Sequence, residues 1–151
     1  MKESKIKVAV YGYGNIGRGV EAAISKCPDM ELVAIFTRRD PNTVKPHGNN
    51  VPVFRAQDIL SFKDRIDVVI LCGGSATDLP VQTPELASNF CVVDSFDTHA
   101  KIPEHFANVD AAAKEGGKIG IISCGWDPGM FSINRLYAMS VLPDGESYTF
   151  W

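Results

Sequence analysis

The chain has no apolar run that approaches the ~20 residues required to span a membrane. Its first residues, Met1 to Lys5, lack the apolar core of a signal peptide, and no internal repeat or low-complexity tract occurs in the 151 residues. A net charge of −3 provides no basic excess for a general nucleic-acid surface. We therefore expect a globular cytoplasmic protein.

Cysteines at C-x-x-C spacing are also lacking, and no metal site is predicted. Three of the four cysteines lie in or at the ends of apolar segments that we predict to be strands, so we expect reduced, packed thiols. An alternative for one of them is a catalytic thiol, but no paired histidine is evident. The four are Cys27, Cys72, Cys91 and Cys124, and the alternative concerns Cys124.

A glycine-rich turn is the most informative motif that is present. The apolar run from Ile6 to Tyr11 leads into the G-x-G-x-x-G pattern, and a helical pattern follows it. The first glycine permits a tight turn, the second lets a pyrophosphate approach the backbone, and the third lets the helix pack on the strand. The pattern predicts dinucleotide binding at the N-terminus of a helix that starts near Asn15. The motif is Gly12, Tyr13, Gly14, Asn15, Ile16 and Gly17, and the predicted apolar helix face is Ile16, Val20, Ala23, Ile24 and Cys27.

The second predicted strand, 31–37, lacks the acid that binds the ribose 2′-OH of NAD. It ends in Thr37-Arg38-Arg39, with no carboxylate before Asp40. A threonine hydroxyl and two guanidinium groups favour a 2′-phosphate, so the strand end predicts NADP(H). The alternative is that both arginines are solvated loop charges.

Strands and helices alternate through the rest of the chain, which predicts an α/β fold with a doubly wound parallel (Rossmann) sheet. A turn-rich loop and a short helical turn at 56–60 separate further strands at 51–54, 67–72, 90–94 and 118–123. One helix has Thr83 as its predicted cap with Pro84 in its first turn. A later helix is predicted to begin near Pro103 and to end at Gly116 and Gly117. Its predicted apolar face is Ile102, Phe106, Val109 and Ala113.

Ligands of open parallel sheets bind at the carboxyl ends of the strands, and two of these ends carry acids. Asp97 follows one strand, and Asp127 stands beside Trp126 after another. Either acid alone is compatible with a turn or N-cap residue. Two acids on the cofactor edge favour binding of a cationic amine next to a nicotinamide. His99 is as compatible with a helix-entry or core residue as with a ligand, and we expect His47 and His105 at the surface.

These segments together resemble the amino-terminal part of the meso-diaminopimelate dehydrogenases, which are NADP-dependent amino-acid dehydrogenases. The resemblance extends over essentially the whole chain, and the Gly-Trp-Asp-Pro-Gly-Met-Phe-Ser run is its most specific element. It implies oxidation of the D-configured carbon of meso-2,6-diaminopimelate, giving L-2-amino-6-oxopimelate, ammonia and NADPH. It also implies a homodimer in the full-length form. The segments that carry the resemblance are 8–18, 36–39, 74–78, 94–97, 125–135 and 149–151.

The resemblance further implies which residues form the site. Asp97 and Asp127 hold the reacting amine, and Trp126 and Trp151 shape the substrate pocket. A carboxylate near the amine can accept its proton, and which of the two acids has this role stays open. Besides the glycine motif, the residues expected to contact NADP(H) are Thr37, Arg38, Arg39, Cys72, Gly73, Gly74, Ser75, Ser95, Phe96, Asp97, Cys124, Gly125, Trp126, Asp127 and Pro128.

The chain departs from this family in length, because the relatives are roughly twice as long. We expect a dinucleotide-binding domain over 1–125, the beginning of a substrate domain over 126–151, and no activity of this segment alone. Two alternatives stay open: another NADP-linked oxidoreductase of the same superfamily, acting on a sugar or an aspartate-derived acid, or a non-catalytic nucleotide sensor. Continuation of the reading frame into another half of a substrate domain distinguishes the dehydrogenase from the sensor.

Overall fold

The computed structural model describes residues 4–48, 50–142 and 144, and its centre is a six-stranded parallel sheet. The strand order is β3-β2-β1-β4-β5-β6, so the predicted doubly wound α/β fold is confirmed. The order reverses between β1 and β4, which is where such sheets bind their ligands. The strands are β1 (Ile6–Tyr11), β2 (Met30–Thr37), β3 (Val53–Arg55), β4 (Val68–Leu71), β5 (Cys91–Asp94) and β6 (Gly120–Ile121).

Four α-helices accompany the sheet within the described residues. They are α1 (Asn15–Ile24), α2 (Leu79–Ala87), α3 (Ile102–Gly116) and α4 (Met130–Val141), with 3₁₀ segments at Pro41–Thr43, Ala56–Arg65 and His99–Lys101. Helix α1 starts where the sequence predicts it, and Gly117, in the left-handed region at φ +60°, ends α3. None of these helices has the length and apolar character needed to cross a membrane.

The central strands supply most of the core. Val8, Ala9 and Val10 of β1 are all buried, as expected for a central parallel strand covered on both faces. Next to them Phe36, Phe54 and Phe62 form an aromatic cluster with ring centroids 4.6–5.8 Å apart. Each buried side chain of this size stabilises the fold by about 1.5–3 kcal/mol. In contrast, α4 has no buried residue.

The apolar face predicted for α1 is wrong in part. Ile16 and Ala23 are exposed, whereas Glu21 is buried beside Ile24. The buried face of α1 consists of Gly17, Glu21 and Ile24, at helical spacing, with Gly17 against the glycine turn. A buried carboxylate is tolerated here because neighbouring donors bind it, as described below.

Four other local predictions are also corrected, among them that Phe106 lies on the buried face of α3. His105, expected at the surface, is buried in α3, and Phe106 next to it is 59% exposed. Thr83 is not a cap, because α2 begins earlier at Leu79 and Thr83 is buried inside it. Cys124, expected to be a packed thiol, is exposed. Cys72 is buried, and all four cysteines are free.

Candidate functional site

The glycine turn lies at the switch point between β1 and β4. Gly12 has φ +95°, and a Cβ there would lie 3.2 Å from the carbonyl carbon of Cys72. A Cβ on Gly17 would collide with the carbonyl oxygen of Gly12, so this glycine permits close packing of α1 on the turn. A Cβ on Gly14 would meet nothing within 4 Å. The turn is therefore tightly packed behind Gly14 and open at it, as a backbone that receives a pyrophosphate requires.

Tyr13 is anchored at both of its ends. Its hydroxyl donates to the Glu21 carboxylate, and its carbonyl oxygen accepts a hydrogen bond from the guanidinium of Arg39. Glu21 also accepts from the backbone N–H groups of His47 (3.1 Å) and Gly48 (2.8 Å). Burial alone would raise the pKa of Glu21, but these donors outweigh burial and lower its pKa. The pair thus ties α1, the glycine turn and the loop after β2 together.

Arg38 is held by an acid that the sequence analysis did not assign to the site. Both terminal nitrogens of Arg38 donate to the Asp78 carboxylate, at 2.9 and 2.8 Å. Asp78 also accepts from the backbone N–H of Gly74 at 3.0 Å. That N–H bond and the Arg38 guanidinium lower the pKa of Asp78. The Arg38 side chain remains 68% exposed, so the pair lies at the rim of the site.

One groove joins the first three predicted segments. It has a volume of about 380 Å³, and the ends of β1, β2 and β4 line it. Thr37 is buried at its side, with its hydroxyl oxygen accepting from the N–H of Arg39 at 3.2 Å. Burial raises the pKa of the Cys72 thiol to about 12. The described residues that line the groove are Gly12, Tyr13, Gly14, Thr37, Arg38, Arg39, Cys72, Gly73, Gly74 and Asp78.

The loop after β5 does not line this groove, but it is hydrogen-bonded to the loop after β4. The Ser75 hydroxyl, after β4, accepts from the backbone N–H of Asp97 at 2.8 Å. Asp97 is exposed, and its carboxylate has no hydrogen-bond partner within the described part of the chain. Phe96, predicted to contact the cofactor, is buried and stacks on His105 with ring centroids 4.2 Å apart. Its side chain therefore belongs to the core.

The end of β6 presents the second acid at the start of α4. The Asp127 carboxylate accepts from the Ser132 hydroxyl (3.0 Å) and the Arg135 guanidinium (3.1 Å), and lies 3.8 Å from Nε2 of His99. The adjacent Trp126 is 65% exposed and stacks on Phe131. Asp127 thus already has helix partners, in agreement with the turn-residue alternative, and still faces His99 near the β5 end. The peptide bond between Asp127 and Pro128 is cis.

Asp94, the last residue of β5, connects the two acid-bearing loops. Its Oδ1 accepts from the N–H groups of Phe96 (3.1 Å) and Ser123 (2.9 Å). Its Oδ2 accepts from the Thr83 hydroxyl (2.7 Å) and Nε2 of His105 (2.6 Å). This network was not predicted, although the spacing of His105 from Ile102 and Val109 is compatible with the buried face of the helix.

Two predicted features stand apart from this geometry. Trp151 lies outside the described residues. In the described part of the chain, no group of three or more histidine, cysteine or acidic side chains is arranged to hold a metal ion. The residues that the sequence analysis missed are Glu21, Asp78 and Asp94. Glu21 is bound by groups outside α1 and had no signal in the sequence, whereas Asp78 and Asp94 lie in 74–78 and 94–97, two of the segments that carry the resemblance.

Known proteins of high identity over nearly the whole chain are meso-diaminopimelate dehydrogenases. Residues 125–151 match the family model described as the diaminopimelic acid dehydrogenase C-terminal domain. Meso-diaminopimelate D-dehydrogenase of Ureibacillus thermosphaericus is 62% identical over 148 residues, which are 98% of this chain and 45% of that protein. The structure of Corynebacterium glutamicum DAP dehydrogenase in complex with DAP matches with a TM-score of 0.84 at 48% identity, covering 99% of this chain and 45% of that one.

A further structure, an engineered D-amino acid dehydrogenase bound to NADP⁺, matches with a TM-score of 0.82 at 48% identity. The match covers 91% of this chain and 42% of that one. The chain therefore spans somewhat less than half the length of the relatives that it matches. The resemblance identified from the sequence is confirmed for this amino-terminal part.

Proposed function

We propose that this chain, which corresponds to the amino-terminal part of meso-diaminopimelate D-dehydrogenases, is the NADP-binding part of such an enzyme. The reaction is oxidation of the D-configured amino-bearing carbon of meso-2,6-diaminopimelate, giving L-2-amino-6-oxopimelate, ammonia and NADPH. This places the protein among the enzymes that serve lysine and peptidoglycan precursor synthesis. The observation that carries the proposal is the 62% identity to a meso-diaminopimelate D-dehydrogenase over 98% of this chain.

The groove between the ends of β2, β1 and β4 fits NADP(H). Gly14 leaves open space at the N-terminus of α1, where N–H groups without helical acceptors favour a pyrophosphate. The end of β2 itself is Thr37, Arg38 and Arg39, with no acid among them, and Arg39 is held beside the turn by its bond to Tyr13. The Asp78 carboxylate that also lines the groove is paired with Arg38. Bound NADP⁺ supplies the hydride acceptor. The further cofactor contacts that we assign are those of the ends of β5 and β6.

Two carboxylates are assigned to the reacting amine. The exposed Asp97 is available to pair with an ammonium group, and Asp127 lies beside His99 in the neighbouring loop. One of the two takes a proton from the amine, so that the nitrogen lone pair forms the C=N bond as the hydride leaves the carbon. Water then adds to the imine and ammonia is released. Beyond this proton transfer, the protein's contribution is orientation of the substrate.

We assign residues 1–125 to the dinucleotide-binding domain and 126–151 to the beginning of the substrate domain. Trp126 and Trp151 shape the pocket around the reacting end. The distal amino-acid end of the substrate is bound by the rest of a longer, homodimeric protein. Residues 1–151 alone are then expected to bind NADP(H) without turning over substrate.

Activity of the full-length protein tests the proposal. Purified protein is incubated with NADP⁺ and meso-diaminopimelate, and NADPH formation is followed by nicotinamide absorbance. We expect turnover with the meso isomer and none with the LL isomer, which lacks a D-configured centre. Residues 1–151, assayed in the same way, serve as the inactive control with intact cofactor binding. Absence of turnover with meso-diaminopimelate in a protein that binds NADP⁺ would refute the assignment.

A further inference from the structure

Asp94 stands at the point where β5, β6, α2 and α3 meet. Only 1% of its surface is exposed, and both carboxylate oxygens are fully used. A buried carboxylate costs several kcal/mol of desolvation unless hydrogen bonds satisfy it, as they do here. Apolar packing would fill the same space without that cost. The role of this carboxylate therefore lies in the groups that its hydrogen bonds hold in place.

One oxygen of Asp94 holds the two loops that carry the acids of the site. Oδ1 accepts from the N–H of Phe96, the residue before Asp97. The same oxygen accepts from the N–H of Ser123, which has φ +57° and precedes the Cys124–Asp127 segment. The main-chain oxygen of Asp94 also accepts from the N–H of Cys124 at 2.8 Å. A single side chain thus sets the starting direction of both loops.

The other oxygen of Asp94 connects this junction to the helices. Oδ2 accepts from the Thr83 hydroxyl of α2 and from Nε2 of His105 of α3. His105 is buried and stacks on Phe96, so the ring supports the same loop from behind. Two charge-assisted bonds on the helix side fix the carboxylate plane, and that plane directs Oδ1 at the two loop N–H groups.

We propose that Asp94 is a positioning residue that aligns Asp97 and Asp127 with each other. This inference rests on the proposed function, because it assigns the purpose of Asp94 to the acids that hold the amine. Asp94 touches neither substrate nor cofactor in this assignment. It acts by holding the ends of β5 and β6 in one arrangement.

The test compares three variants of the full-length protein. Asp94→Ala removes all four side-chain bonds, and we expect kcat to fall about 10²-fold, the usual effect of a misplacement of about 1 Å. The Kd for NADPH should rise much less than kcat falls, by less than about fivefold, because the β1–β2–β4 groove is untouched and only the assigned cofactor contacts at the ends of β5 and β6 depend on Asp94. Asp94→Asn keeps an acceptor oxygen for Phe96 and Ser123 and should restore most of kcat. Phe62→Leu is the stability control: Phe62 packs against Phe36 and Phe54, apart from the Asp94 hydrogen bonds, so this variant should lower Tm while leaving kcat close to that of the parent.

A purely structural role of Asp94 predicts a different result from a positioning role. If kcat falls in proportion to Tm across all three variants, including Phe62→Leu, Asp94 is a structural residue only. A folded Asp94→Ala protein with the parent's kcat also refutes the proposal. If that variant does not fold, Asp94→Leu combined with His105→Leu replaces the buried pair by apolar packing, which often restores stability. We expect it to be folded and slow; parental kcat, or failure of this variant to fold as well, would overturn the proposal.

Parallel assays of Asp97→Asn and Asp127→Asn separate this inference from the proposed function. Loss of activity in both, together with an active Asp94→Ala, refutes the positioning inference alone. A parent protein without activity on meso-diaminopimelate refutes the proposed function itself.

Discussion

Replacement of Arg39 by alanine is expected to change the cofactor preference more than any other single substitution at the β2 end. Arg39 is bonded to the Tyr13 carbonyl and lies at the groove beside the buried Thr37. Its guanidinium is therefore already oriented before a phosphate arrives, and little conformational entropy is lost on binding. Arg38 differs, because both of its terminal nitrogens are used by Asp78 and most of its side chain is in solvent.

The expected magnitudes follow from these contacts. A hydrogen bond to a charged group contributes about 1.5–3 kcal/mol, so Arg39→Ala should weaken NADPH binding by about 10- to 100-fold. An exposed, shared ion pair contributes about 0.2–1 kcal/mol, so Arg38→Ala should weaken NADPH binding by only about 1.4- to fivefold. NADH binding should change less than about twofold in both, because NADH has no 2′-phosphate.

Fluorescence titration with NADPH and NADH on the same preparations measures both affinities. Arg65→Ala is the matched control: its guanidinium packs 4.8 Å above the Phe62 ring, outside the groove, and its loss removes the same charge. Equal losses for both cofactors in Arg39→Ala would refute the reasoning. So would an effect of Arg65→Ala on NADPH alone as large as that of Arg39→Ala, because general electrostatic attraction would then account for the preference.

Three further predictions address the acids, the turn and the pH dependence. In the full-length protein, Asp97→Asn and Asp127→Asn should each lower kcat/KM for meso-diaminopimelate by about 2–4 kcal/mol of transition-state stabilisation in steady-state assays, with NADPH affinity nearly unchanged; parental kcat/KM in both would show that other residues hold the amine. Gly17→Ala should lower Tm, because its Cβ meets the turn backbone, whereas Gly14→Ala should keep Tm and weaken cofactor binding; the reverse pattern in thermal melts and titrations would contradict the packing described. The lowered pKa of Glu21 stabilises the fold above the unfolded value of about 4.3, and this contribution disappears as pH falls through the folded pKa. In urea melts at decreasing pH, the free energy of unfolding of Glu21→Gln should therefore fall less than that of the parent. An unchanged pH dependence would exclude Glu21 as a contributor.

Local rules predicted the parts of this fold in which neighbours in sequence decide the structure. The glycine turn, the start of α1 at Asn15 and the end of α3 at Gly117 all follow from backbone conformation and unpaired N–H groups. The parallel sheet follows from the alternation of apolar runs and helical patterns. The carboxyl ends of its strands could then be nominated as the site without knowledge of any long-range contact.

The polar interior could not be predicted in this way. In the sequence, Glu21 has the character of an exposed helix residue. Its partners, the backbone N–H groups of His47 and Gly48, lie some 26 residues away and are known only from the structure. His105 reads as a surface residue until Asp94 is placed opposite it. Asp78 lies 40 residues from Arg38, so nothing in the sequence shows that this acid is paired with the Arg38 guanidinium. The buried Glu21 and His105, like the more exposed Arg38–Asp78 pair, are bound by groups that only the tertiary structure brings close.

The two thiols at the carboxyl edge of the sheet differ in chemical reactivity. Burial raises the pKa of Cys72 to about 12, so almost no thiolate is present there at neutral pH, whereas Cys124 is open to solvent. A maleimide dye should therefore attach first at Cys124, at the beginning of the loop that carries Trp126 and Asp127. The rate of that labelling, followed by dye absorbance, then measures how accessible the loop is. It should decrease whenever a bound molecule or a neighbouring segment covers the loop.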